Sequence, residues 1–317
     1  MTAPKISVVI PAYKAERTIR RAIDSVLAQE GCESTVIVVV DGDLDDTRNI
    51  VKQDYADAPV VLLVNDENRG VQFTRNRGLA EVADEYVMFL DADDFVEGRL
   101  LAGLAEALSE KRADLGFGPM QTLFESTGAR GPTVIMRSER PAELFVDWMA
   151  EGRFVNPSAV MWRTCFLREI GGWDPAFHRA EDGEVAMRAL LLGAAVARSD
   201  QGRGVYVIHD NPNRLTQTNR HLDALLAVPR KLLGIPSQTI EPAVVRSACA
   251  RSLYAAAVTC HLRGSPDLGS EALAEARALG LTGHPGGPLH RTLTRLLGLR
   301  GRCAAERLAR RLLRRLS

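Results

Sequence analysis

Tyr86-Val87-Met88-Phe89-Leu90-Asp91-Ala92-Asp93-Asp94 is an apolar run that stops abruptly in a cluster of acids. An unbroken apolar stretch of this length reads as a strand buried on both faces, the habit of parallel sheets. Similar runs occur upstream at Ile6–Pro11, Thr35–Val40 and Val60–Val64, and downstream at Asp114–Gly118, Ser158–Trp162 and Val205–Ile208. Amphipathic stretches lie between them. Ala15–Gln29 carries Ile19, Ile23, Val26 and Leu27 at helical spacing, and Asp45 or Asp46 can cap a helix after the second run. Val71–Ala83 has a helical pattern that Gly78 weakens, and Leu100–Leu108, Ala142–Met149, Arg163–Ile170 and Glu181–Leu192 complete the helices. Such alternation predicts an α/β chain with a mostly parallel sheet and helices on both faces. Beyond Leu222 the pattern turns wholly helical, so a boundary is expected between residues 1–222 and a helical extension over 223–317.

The bulk numbers agree with a folded protein. The chain has 317 residues, of which 46% are apolar and 25% charged, which excludes disordered and collagen-like classes. A net charge of zero gives no reason to expect a nucleic-acid partner. The zero hides an asymmetry, because Leu289–Ser317 holds nine Arg and one Glu, or +8, and the rest carries −8. Cys32, Cys165, Cys249, Cys260 and Cys303 are irregularly spaced and read as reduced thiols. No stretch approaches the ~20 apolar residues of a membrane span, so the expected setting is cytoplasmic.

In open α/β sheets ligands bind at the carboxyl ends of the strands. Here Asp41 ends the second strand, and Asp91, Asp93 and Asp94 end the fourth. Carboxylates gathered in one cleft repel one another, and Mg²⁺ or Mn²⁺ relieves that repulsion through oxygen ligands. Taken alone, an Asp-x-Asp is better read as a capped turn.

The companion motifs change that balance. Ile6–Pro11 with Ala12, Tyr13, Lys14, Ala15 and Glu16, then Val38-Val39-Val40-Asp41-Gly42, Arg75-Asn76-Arg77-Gly78, Phe89–Asp94, Gly171-Gly172-Trp173-Asp174 and Glu181-Asp182 follow one another in a fixed order. This series resembles the inverting GT-A glycosyltransferases of family 2 over roughly residues 5–210. Three positions depart from the family pattern. Val40 stands where an acid is common, Lys14 where Asn is common, and Asp43 where Ser is common.

The resemblance implies a GT-A fold and an enzyme that moves a sugar from a nucleotide-sugar donor, most simply a UDP-sugar, to a hydroxyl acceptor. It implies a nucleotide-sugar pocket lined by Pro11, Ala12, Tyr13, Glu16 and Ala92, with Asp41 on the base and Asp91 near the ribose. Arg75 is placed at the diphosphate, although a plain surface arginine is the slightly preferred reading. Asp93 is the implied ligand of Mn²⁺ or Mg²⁺, with Asp94 behind it and His209, followed by Arg214, a second candidate near the metal. Asp182 is implied as the general base. Trp173 is the candidate to stack on a sugar, and Trp162 reads as core. The acceptor is unnamed: a growing glycan, a glycolipid and a natural product all fit. A nucleotidyltransferase and a non-catalytic sugar-nucleotide binder remain as alternatives. In the tail, leucines at near-helical spacing alternate with arginines, which reads either as peripheral contact with the inner membrane face or as packing on the acidic domain or on a second subunit.

Overall fold

The structure is a computed structural model that describes residues 3–136, 138–153, 156–177, 181–209 and 222–316. In chain order the elements begin β1 (Lys5–Ala12), α1 (Ile19–Leu27), β2 (Glu33–Asp41), α2 (Thr47–Asp54), β3 (Val60–Asn65), α3 (Val71–Glu81) and β4 (Tyr86–Phe89). They continue with β5 (Phe95–Glu97), α4 (Leu100–Lys111), β6 (Leu115–Phe117), β7 (Met120–Phe124), β8 (Ala129–Val134), α5 (Pro141–Met149), β9 (Val160–Arg163), α6 (Thr164–Glu169) and α7 (Glu181–Leu191). The last are β10 (Val196–Arg198), β11 (Arg203–Ile208), α8 (Ala224–Leu233), α9 (Pro242–Arg263), α10 (Pro266–Ala278) and α11 (Pro288–Leu316).

Among the described residues the main sheet has the order β10-β6-β9-β4-β1-β2-β3. β1 pairs in parallel with both β2 and β4, and β2 with β3, while β9 runs antiparallel between β4 and β6. The β-branched runs Val36–Val40 and Val8–Ile10 are fully buried, because helices cover both faces of these central strands. The chain builds outward from β1 to β3 and then crosses back to set β4 on the other side of β1. That reversal opens a crevice at the carboxyl ends of β1 and β4, where an open sheet binds its ligand.

A second sheet, β5-β11-β7-β8, is absent from the sequence reading except for β11. It closes one side of that crevice. β5 follows the Asp91–Asp94 turn directly and pairs with β11, which pairs in turn with β7.

Gly78 does not break α3. A Cβ there would lie 2.3 Å from Val9 Cγ1 and 3.2 Å from Val39 Cγ2, so its absence lets the helix settle onto β1 and β2. The extension expected after Leu222 is helical throughout its elements. Its first part shares a hydrophobic cluster with the sheet, since Val228, Leu232, Val245 and Cys249 pack in the same core as Val39, Phe89 and Trp162. Leu226, Leu253, Tyr254, Cys260, Ala272 and Cys303 form a separate cluster among α8 to α11. The tail helix is interrupted at Gly298 (φ 66°), whereas Gly301, the other expected break, lies within helix. Among the described residues no helix is long and apolar enough to cross a membrane.

Candidate active site

The crevice between β1 and β4 is a cleft of about 820 Å³ lined by Pro11, Tyr13, Lys14, Ala15, Arg17, Thr18, Val71, Arg75, Asp91, Ala92, Asp93, Asp182 and His209. Its size suits a nucleotide-sized ligand.

Arg75 is its organising residue. The side chain projects from α3, is only 2% exposed, and ties two acids together. Its Nη2 donates to Asp91 Oδ1 at 2.8 Å and its Nη1 to Asp182 Oδ1 at 2.7 Å. The guanidinium also sits 5.5 Å from the centre of the Trp173 ring. A planar fork with several fixed donors can span two carboxylates, which a single ammonium cannot. The preferred reading of Arg75 as a surface arginine is therefore corrected: its charge is fully engaged inside the site.

Trp173 is corrected as well. It is 2% exposed, with its ring 4.2 Å from that of Phe89, so it offers no face to a sugar. Its indole Nε1 donates to Asp182 Oδ1 at 3.0 Å. The Asn76 side chain grips the Trp173 backbone, accepting from its N–H at 2.9 Å and donating to its carbonyl at 2.7 Å. This grip needs Gly172, where φ is +61° and a Cβ would fall 2.5 Å from Asn76 Oδ1. The Gly171-Gly172 break is thus a docking point of the loop onto α3. Asp182, in the first turn of α7, receives two side-chain donors on one oxygen and is fixed in orientation.

The Asp91–Asp94 turn is clipped on the other side. Asp94 is buried, and its Oδ1 accepts from the Val207 N–H of β11 at 2.8 Å. Burial first, then the neighbouring charges of Asp91 and Asp93, push its carboxyl well above the ordinary range. Arg21 Nη2 donates to the Asp93 carbonyl at 2.6 Å. With the turn held against β11, Asp93 Oδ2 lies 3.2 Å from His209 Nε2. The other ring nitrogen of His209 is 2.5 Å from Glu125 Oε2.

Three expected nucleotide residues do not line the cleft. Asp41 is 4% exposed, and its oxygens accept from Asn65 Nδ2 at 2.8 Å and from the Arg69 and Gly70 N–H groups at 2.9 Å. It holds the turn that begins α3, where the helix dipole also favours an acid. Glu16 instead accepts from the Asp46 N–H at 3.1 Å while its own N–H donates to Asp45 at 3.0 Å, locking the β1 and β2 loops together. Ala12 is buried in the core. Pro11, Tyr13, Arg75, Asp91, Ala92, Asp93, Asp182 and His209 are brought together as expected. Arg214 and the side chain of Glu181 lie outside the described residues.

The glycosyl transferase family 2 model matches residues 7–163, which contain most of β1, the Asp91–Asp94 turn and Arg75. The chain belongs to glycosyl transferase family 2. The match ends before Asp182 and His209, so those two rest on the geometry above. Glycosyltransferase GlyA of Streptococcus pneumoniae serotype 4 is 32% identical over 124 residues, covering 39% of this chain and 18% of GlyA. The chain thus spans less than a fifth of that relative's length. The succinoglycan biosynthesis protein ExoO of Rhizobium meliloti is 27% identical over 242 residues, covering 73% of this chain and 68% of ExoO. S. aureus TarS 1–349 in complex with UDP-GlcNAc has the same fold, with a TM-score of 0.71 at 20% identity, covering 87% of this chain and 81% of that one.

Within this family 2 chain, sequence reasoning passed over Arg21, Asn76 as a clamp, and Glu125. The Arg75-Asn76-Arg77-Gly78 motif carried the signal for Asn76, since Asn76 and Gly78 face different partners from one helix. Glu125 had no signal, because the strand before it was not legible.

Proposed function

We propose that this protein is a metal-dependent, inverting glycosyltransferase using a UDP-linked sugar and a hydroxyl acceptor. One observation carries the reading. Asp182 and the Asp93–His209 pair face a single cleft at the crevice of the sheet, joined through Arg75 and Asp91.

The residues fit a divalent cation. His209 Nε2 is buried and makes no hydrogen bond among the described residues, although Asp93 Oδ2 is only 3.2 Å away. His209 and Asp93 would hold the ion, since their nitrogen and oxygen are close enough for one cation to be shared between them. Two protein ligands also suit an ion that takes its remaining positions from water and phosphate oxygens. The imidazole nitrogen tilts the choice from Mg²⁺ toward Mn²⁺. When bound, the ion would offset negative charge developing on the departing diphosphate.

The chain's own residues do the rest. Pro11, Tyr13 and Ala92 form the wall for the nucleoside. Asp182, held by Arg75 and Trp173, accepts the proton of the acceptor hydroxyl as its oxygen attacks the anomeric carbon. The bond from that carbon to the diphosphate oxygen breaks on the opposite face, and one displacement inverts the centre. TarS, the similar fold, was crystallised with UDP-GlcNAc, which supports a uridine nucleotide here.

Purified protein given UDP-sugars and Mn²⁺ should release UDP and no pyrophosphate. Pyrophosphate would favour a nucleotidyltransferase, and no donor turnover would favour a binding protein. Asp182→Asn and Asp93→Ala should each lower turnover by at least about a hundredfold. Unchanged turnover in either would overturn the assignment.

We infer that the tail lies on an anionic lipid surface. On the first limb of α11, Leu289, Leu293, Leu296 and Leu297 share one helical face, and Leu289 and Leu296 are 73% and 75% exposed. The single acid of the tail, Glu306, is paired with Arg302. The +8 charge opposes tail-on-tail pairing and favours a negative leaflet, at about 1 kcal/mol per arginine near the surface. The full chain should sediment with phosphatidylglycerol vesicles and not with phosphatidylcholine vesicles. Deleting Leu289–Ser317 should abolish this, and binding that survives the deletion refutes the role.

A further inference from the structure

β7 and β11 run parallel with Phe124 opposite Ile208, and the Glu125 N–H donates to the Ile208 carbonyl at 3.0 Å. The ladder therefore carries one step past the last paired residues and sets Glu125 beside His209. The Glu125 carboxylate takes up the imidazole at Nδ1, 2.5 Å from Oε2. A carboxylate is an acceptor, so Nδ1 carries the proton and Nε2 presents its lone pair toward Asp93. Nε2 is buried, lies 3.2 Å from Asp93 Oδ2 and lacks hydrogen-bond geometry to it, so the Glu125 contact at Nδ1 leaves Nε2 turned toward the place a cation shared with Asp93 would take.

We propose that Glu125 is a positioning residue that selects the His209 tautomer and aims Nε2 at the cation shared with Asp93. This rests on the metal-dependent reading above. Glu125 touches neither the cation nor the substrate. Its side chain is half exposed at the end of β7, so it contributes little to the core. Arg17 and Arg21 lie close enough to influence its charge, and neither is a hydrogen-bond donor to it. Outer partners of this kind tune affinity by roughly ten- to hundredfold when removed.

The test is Mn²⁺ binding to the full chain, with and without UDP, followed by the EPR signal of free Mn²⁺. The ¹⁴N modulation in the pulsed EPR of the bound ion reports the imidazole. Wild type should bind with a ¹⁴N signature. Glu125→Ala and Glu125→Gln should weaken binding roughly ten- to hundredfold and lose or diminish that signature, with Tm unchanged within about 1 °C. Glu125→Asp should recover part of the affinity. His209→Ala and Asp93→Ala serve as references. If they weaken Mn²⁺ binding while Glu125→Ala matches wild type in affinity and ¹⁴N signal, the proposal for Glu125 is wrong and the metal site stands. If wild type binds no Mn²⁺, or binds it unaffected by His209→Ala and Asp93→Ala, the metal-dependent reading fails and this inference falls with it.

Discussion

Replacing Arg75 by Ala removes a cation that is 2% exposed from between two acids whose side chains are 31% and 29% exposed. Breaking a fully buried ion pair by deleting one partner costs about 3–5 kcal/mol. Asp91 and Asp182 open onto the cleft and can regain water, so the loss here should sit near about 2–3 kcal/mol. For a chain of this size that is a fall in Tm of about 3–5 °C. Catalysis should suffer more than stability. Asp182 would keep the Trp173 indole but lose the guanidinium that fixes its angle, and kcat should drop by about a hundredfold. Arg75→Lys is the sharper experiment. It keeps the charge but cannot bond both carboxylates in one plane. It should restore most of the Tm and little of the kcat. Differential scanning calorimetry and steady-state kinetics on the same preparations separate the two. Full turnover in Arg75→Lys would refute the claim that bidentate bridging matters, leaving charge alone as the cause.

Further outcomes follow from the same contacts. Trp173→Phe should keep the stack on Phe89 but lose the donor to Asp182, lowering kcat about tenfold with little change in donor KM; a KM effect alone would place Trp173 in substrate binding instead. Gly78→Ala should destabilise by about 1–2 kcal/mol in urea melts, because overpacking against Val9 and Val39 outweighs a helix-propensity gain of about 1 kcal/mol. An unchanged midpoint would mean that α3 can shift off the sheet. Burial first, then nearby arginines, hold His261, His284 and His290 below the ordinary imidazole range. The unfolded chain therefore binds more protons below about pH 6.5, so stability from these helices should be lost as pH falls through that value. Hydrogen exchange in α9 to α11 should accelerate between pH 7.5 and 5.5, and constant protection would count against it.

The elements that could be read in advance are those whose pattern is set by burial alone. β1, β2 and β4 are buried on both faces, so their apolar runs announced themselves, and the acids at their ends marked the crevice. β7 and β8 escaped because β8 is an edge strand and β7 beside it is only half-buried, and Gln121, Thr122, Gly131 and Pro132 interrupt any period. β5 and β10 span three residues each, too short to carry a period. Asp41, expected on the nucleotide and found bonded to the turn before α3, was hard to place for a different reason. An acid at a strand end has the same sequence appearance whether it faces the ligand or caps the turn behind it. Trp173 sits beside paired glycines, as a mobile platform would, yet those glycines allow it to be drawn into the core. Arg75 was underrated because a lone arginine in a helix is usually solvated; its burial depends on acids 16 and 107 residues away.

β11 behaves as a ruler. Val207 binds Asp94 through its backbone, and two residues later His209 offers its ring to Asp93. Successive strand residues point to opposite sides, so one residue added or removed between them would swing the imidazole away while leaving every helix and most of the sheet in place. A protein of this architecture can thus lose the approach of His209 to Asp93 through a single indel that no fold comparison would register.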